Sequence, residues 1–178
     1  MMENNFTVII VEDAKLELKG TEEIFRTEIP EAEIIGVAAN EKELDVLLEE
    51  RTPDLLLLDL GLGGSTTVGV DICNRVKSDF PSIKVLVFTG ELLNEKLWVD
   101  VLDAGADGIA LKTGELLTKH EICNVMAGKR NVFNQPVLEK IVERFRENVL
   151  SDTEHRKSLL AYDIDRYDEC FLRHLALG

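Results

Sequence analysis

Residues 54–64 read DLLLLDLGLGG. Four consecutive leucines, Leu55 to Leu58, leave no polar face, so the run must be covered on both sides, as a central strand of a parallel sheet is. Directly after it comes Asp59, a carboxylate that is costly to bury without a partner. Gly61, Gly63 and Gly64 then mark a loop. Outward from this stretch, apolar runs of strand length recur: FTVIIV (6–11), EIIGVAA (33–39), LLLLDL (55–60), IKVLVFT (83–89) and GIALK (108–112). They alternate with helix-period segments near 15–28, 41–50, 69–78, 93–104 and 115–127. The alternation predicts an α/β fold, a doubly wound five-stranded parallel sheet closing near Gly128. Asn40 and Glu43 have the spacing of a capping box, and Pro30 and Pro81 end helices ahead of strands.

The composition narrows the function classes. The 178 residues carry 34 acidic against 20 basic side chains, a formal net charge of −14. Affinity for nucleic-acid phosphates comes from Lys and Arg, so this chain is not expected to bind nucleic acid itself. The three cysteines, Cys73, Cys123 and Cys170, match no zinc or disulfide spacing, which suits reduced thiols in a cytoplasmic protein. His120, His155 and His174 share no ligand spacing. No apolar run is long enough to span a bilayer, and the first residues lack the basic lead of a signal peptide.

In open α/β sheets the ligand site lies beyond the carboxyl ends of the strands. Four of the five predicted strands carry polar groups there: Glu12 and Asp13, Asp59, Thr89, and Lys112. Each has a bland reading: Asp13 as a helix cap, Thr89 in a turn, Lys112 in solvent. Their convergence on one crevice is the stronger signal. Three carboxylates about 4 Å apart repel by roughly 4 kcal/mol per pair at an effective dielectric near 20, so they require a proton or a cation. Magnesium favours hard oxygens and keeps positions open for water and phosphate. Lys112 and Thr89 opposite would hold phosphoryl oxygens, and Gly61 and Gly90 allow close backbone approach. A carboxylate in such a cluster can also be the nucleophile.

VIIVED (8–13), DLLLLDLGL (54–62), VLVFTG (85–90) and AGADGIALK (104–112) together resemble the receiver domain of bacterial two-component response regulators. The resemblance implies a flavodoxin-like sheet of strand order 2-1-3-4-5 over residues 1–128. It implies Asp59 as phosphoacceptor, Mg2+ held by Glu12, Asp13, Asp59 and the Gly61 carbonyl, and Thr89, Gly90 and Lys112 around the phosphoryl group. A sensor histidine kinase would be the donor and a homodimer the phosphorylated form. The loop GLGGSTTVGVD is longer than the family pattern and lacks its proline, and Ile109 stands where the family has a switch Tyr or Phe. A phosphohydrolase of the haloacid dehalogenase type would place an acid two residues after the nucleophile. Here that residue is Gly61, so the chain is expected not to be an enzyme.

Beyond Gly128 the pattern changes. GKRNVFNQPVLEKIVERFRENVL (128–150) reads as a turn and an amphipathic helix capped by Asn134, opening a helical linker over 129–163. Residues 164–178, with Phe171, Leu172 and Leu175 at helical spacing, resemble the first helix of a LuxR-type helix-turn-helix domain of the NarL/FixJ class. The expectation is an output domain truncated at Gly178, with DNA contacted only through its missing part. The alternative is a stand-alone receiver that signals by protein contacts, its tail a docking helix.

Overall fold

The computed structural model describes residues 5–90, 95–112, 119–129 and 132–149. The chain divides into two compact units, Met1–Val137 and Leu138–Gly178. In the first, strands β1 (Phe6–Val11), β2 (Ala32–Ala38), β3 (Leu55–Leu58), β4 (Lys84–Thr89), β5 (Gly108–Leu111) and β6 (Val132–Phe133) alternate with helices. The helices are α1 (Lys15–Glu28), α2 (Glu41–Glu50), α3 (Thr66–Asp79), α4 (Glu95–Asp103) and α5 (Lys119–Met126), followed by α6 (Gln135–Val149). Within the second unit only residues 138–149 are described, as the continuation of α6. The remainder of the expected linker and the LuxR-like segment 164–178 lie outside the described residues.

All strands are parallel, in the order β2-β1-β3-β4-β5-β6. Among the described residues the sheet therefore has six strands where the sequence predicts five, and it extends past Gly128. The sixth is two residues long, too short for any periodicity to show. Val132 and Phe133 pair with Gly108 and Ile109. Next to them Asn134 continues the ladder with its side chain: its carboxamide oxygen accepts from the Leu111 amide at 3.1 Å, and its nitrogen donates to the Leu111 carbonyl at 3.0 Å. The predicted cap of α6 is present and shared with the sheet: the Asn134 side-chain oxygen also accepts from the Val137 amide at 3.4 Å, and its backbone carbonyl accepts from the same amide at 3.0 Å.

The leucine run behaves as its composition requires. Leu55 to Leu58 are at most 2% exposed. On one face Leu55 and Leu57 join Val8, Ile10, Leu86 and Phe88 against Phe25, Ile29, Ile122 and Val125. On the other, Leu56, Leu58, Ile9, Val85 and Val87 are buried equally. At the capping box, Asn40 accepts from the Glu43 amide at 3.1 Å while Glu43 accepts from the Ala39 amide at 2.7 Å. At the amino edge of the sheet, buried Asp107 accepts from Lys77 (3.0 Å), Lys84 (3.4 Å) and the Val85 amide (2.9 Å). This clamp ties α3 to the starts of β4 and β5, the strands that lead to Thr89 and Lys112. No helix among the described residues is long and apolar enough to cross a membrane.

Candidate functional site

The strands deliver their polar ends to one place. Glu12, Asp13 and Asp59 each offer a carboxylate oxygen, and the three lie within 4.8 Å of one another. Glu12 and Asp59 are buried; Asp13 is exposed. Residues 12 and 13 leave β1 just before α1, and Asp59 leaves β3, with β1 and β3 adjacent in the sheet, so the backbone itself brings the acids together. The Asp59 amide donates to the Val11 carbonyl at 2.9 Å, which holds that approach.

Asp13 does not cap α1. The N-cap is Ala14, which makes no side-chain bond there. Instead Asp13 accepts from the Gly63 amide at 2.8 Å, which ties the loop after β1 to the loop after β3. That second loop winds into one 3-10 turn over Leu62–Gly64. Gly63 and Gly64 take φ of 61° and 77°, a region costly to side chains, which explains how the glycine-rich stretch turns so tightly. The Gly61 amide donates to Asp59 at 3.2 Å. The Gly61 carbonyl accepts from the Gly64 amide at 3.2 Å, leaving a second lone pair. Gly69, buried on α3, lets the helix lie directly over this segment: a Cβ there would meet the Leu60 Cα at 2.6 Å and the Asp59 carbonyl at 3.0 Å.

Lys112 closes the cluster. Its amide donates to the Thr89 carbonyl at 2.9 Å, so its root is fixed between β4 and β5. Its ammonium passes 5.7 Å from the Phe88 ring centre and reaches Glu12, Glu17 at 2.6 Å and Asp59 at 3.3 Å. Burial pushes the Glu12 carboxyl above its usual range, against the opposing bonds from Lys112 and the Ala14 amide. For Lys112, burial pulls downward, but the bonds to Glu12 and Glu17 and the attraction of Asp59 outweigh it and hold the ammonium protonated. Thr89 is fully buried at the end of β4, and Gly90 follows it with open space where a Cβ would stand. Glu17, on the first turn of α1, is the member that sequence reasoning missed. Its signal was positional: the first turn of α1 rises from the carboxyl edge of the sheet, so an acid there faces the site.

The donor set fits a divalent cation. It consists of three hard carboxylate oxygens on a rim partly open to solvent through Asp13, with a lysine that satisfies only part of their charge.

This chain belongs to the response regulator receiver domain family, whose model matches residues 8–122. Residues 132–178 match a second family, described as of unknown function (DUF5932). Among particular relatives, response regulator protein VraR of Staphylococcus aureus is 29% identical over 140 residues, covering 79% of this chain and 65% of its own. The chain thus matches less than two thirds of that relative's length. A LuxR-family two-component response regulator from Aurantimonas sp. SI85-9A1 superposes with a TM-score of 0.69 at 22% identity, over 80% of this chain and 99% of that one, which bears on the fold alone. The isolated receiver domain of RcsB from Salmonella enterica serovar Typhimurium, solved with the phosphomimetic BeF3−, gives 0.68 at 25% identity, over 76% and 98%. Another structure contains RcsB dimers bound to DNA, matching with a TM-score of 0.68 over 76% of this chain and 67% of that one. The expected receiver family and fold are therefore established, and the strand order β2-β1-β3-β4-β5 holds with β6 added at its edge.

Proposed function

We propose that Asp59 is the phosphoacceptor of this receiver, with a sensor histidine kinase as donor. The observation that carries the reading is the meeting of Glu12, Asp13 and Asp59 with Lys112 at the carboxyl edge of the sheet. A carboxylate oxygen of Asp59 attacks phosphorus, the phosphorus–nitrogen bond of the donor phosphohistidine breaks, and the imidazole leaves with its electron pair. Glu12, Asp13, Asp59 and the Gly61 carbonyl would hold Mg2+. The ion supplies positive charge that lets carboxylates and a phosphoryl group share one site. Lys112, Thr89 and the Gly90 backbone would take the phosphoryl oxygens and draw off their charge. The acquired group adds about −1.5 to −2 charges beside Lys112 and Thr89, enough to bias the ends of β4 and β5.

In this reading the protein is a signalling switch rather than a turnover enzyme, and its output is transcription, through dimers on DNA such as RcsB forms. With a net charge of −14 the 178 residues do not themselves provide the DNA-binding surface. The test is exposure to acetyl phosphate and Mg2+ followed by mass spectrometry and peptide mapping. A single phosphate should appear on the peptide containing Asp59 and vanish in Asp59→Asn. Undiminished labelling of that variant refutes the assignment.

A further inference from the structure

Lys112 is the cation through which the site meets phosphate, and its position is contested. An ammonium has three N–H donors. Here they face three carboxylates: Glu12, Glu17 at 2.6 Å and Asp59 at 3.3 Å, with Asp59 the most distant. The ammonium is therefore drawn towards β1 and α1 and away from the residue it would serve. Lys112 is only 11% exposed and its backbone is bonded to Thr89, so its side chain cannot simply swing into solvent.

Glu12 and Glu17 differ in what becomes of their grip. Glu12 belongs to the three-carboxylate cluster, so a cation bound there competes directly with the ammonium for its oxygens. Glu17 stands outside that cluster and is 51% exposed, so a cation bound to the cluster does not compete with the ammonium for its oxygens. We propose that Glu17 is a positioning residue that restrains Lys112 and thereby weakens the hold of the site on a phosphoryl group. The inference rests on the reading of Asp59 as phosphoacceptor. Its physical content is a competition: a phosphoryl group on Asp59 must take the ammonium from Glu17. The device tunes how tightly the site holds a phosphoryl group without touching the nucleophile, and it acts across 95 residues of sequence.

Beryllofluoride, a phosphoryl mimic that binds an aspartate carboxylate, separates the possibilities by calorimetric titration of the full chain in saturating Mg2+. Glu17→Gln removes the charge and the grip. It should bind beryllofluoride about two- to five-fold more tightly, the range that a half-exposed ion pair supplies. Glu17→Asp keeps the charge but shortens the reach by one methylene. If the grip on Lys112 is what matters, it should move with Glu17→Gln. Equal affinities for all three proteins overturn the inference and leave Asp59 in place. Tighter binding by Glu17→Gln with Glu17→Asp unchanged also overturns it, by assigning the effect to local charge rather than to the contact. Failure of the wild type itself to bind beryllofluoride overturns the reading of Asp59, and this inference with it.

Discussion

Replacing Asp59 by Asn should stabilise the metal-free protein, an unusual outcome for a change at a buried polar residue. Asp59 shares a 4.8 Å cluster with Glu12 and Asp13, and each of the two repulsions is about 3.5 kcal/mol at an effective dielectric near 20. Against them stands the attraction of Lys112 at 3.3 Å, about 5 kcal/mol on the same basis. The balance favours removal of the charge by about 2 kcal/mol, and solvent around exposed Asp13 reduces this to about 1 kcal/mol. The carboxamide oxygen of Asn can still accept from the Gly61 amide, so no hydrogen bond need be lost. For a chain of this size, about 1 kcal/mol corresponds to a rise in Tm of about 2–4 °C. Magnesium should reverse the order. Wild type should gain about 1.4 kcal/mol at ten times the dissociation constant, and the variant, lacking one of three carboxylates, should gain much less. The assay is calorimetry of both proteins in EDTA and across a magnesium series, at low and at physiological salt. A variant that melts below wild type in EDTA, or that gains as much from magnesium, refutes the charge-cluster argument.

Three other outcomes follow from the packing. Gly69→Ala would drive a methyl group into the Leu60 backbone at 2.6 Å, so α3 must shift, and both stability and acetyl phosphate labelling should fall. Unaltered labelling with an unaltered melt would show that α3 does not brace the segment after Asp59. Asn134→Ala leaves both polar groups of Leu111 unpaired in a buried position, a loss of about 2–4 kcal/mol by urea unfolding, whereas a change under about 0.5 kcal/mol would mean that β6 is dispensable. Burial pushes the Cys73 thiol up to about 12, only partly offset by Lys77. The unfolded chain releases that proton near pH 8.5, so it binds fewer protons than the folded chain between about 8.5 and 12, and stability falls as pH rises through that window. Unfolding at pH 8, 9 and 10 should show a fall that Cys73→Ala flattens; parallel curves for the two proteins would contradict it.

The sequence by itself determined the order and type of the main elements and the identity of the acidic residues. Leu55–Leu58 could only be a strand covered on both faces, and α1 and α2 begin and end where periodicity and capping placed them. The convergence of Glu12, Asp13, Asp59 and Lys112 was legible because parallel strands alternating with helices must all point their carboxyl ends one way. The tertiary structure alone decided what short-range pattern does not encode. β6 is two residues long, and its partner strand lies more than 20 residues earlier, so no local signal announces it. Asn134 caps α6 as its helical neighbours suggest, but nothing local showed that the same carboxamide also pairs with the Leu111 backbone on β5. Asp107 and its two lysines, like Glu17 and Lys112, meet only when loops are closed. Electrostatic partnership depends on distance in space, and chain separation carries almost no information about it. The direction of each strand was written in the sequence; which charge competes for which ammonium was settled by the fold.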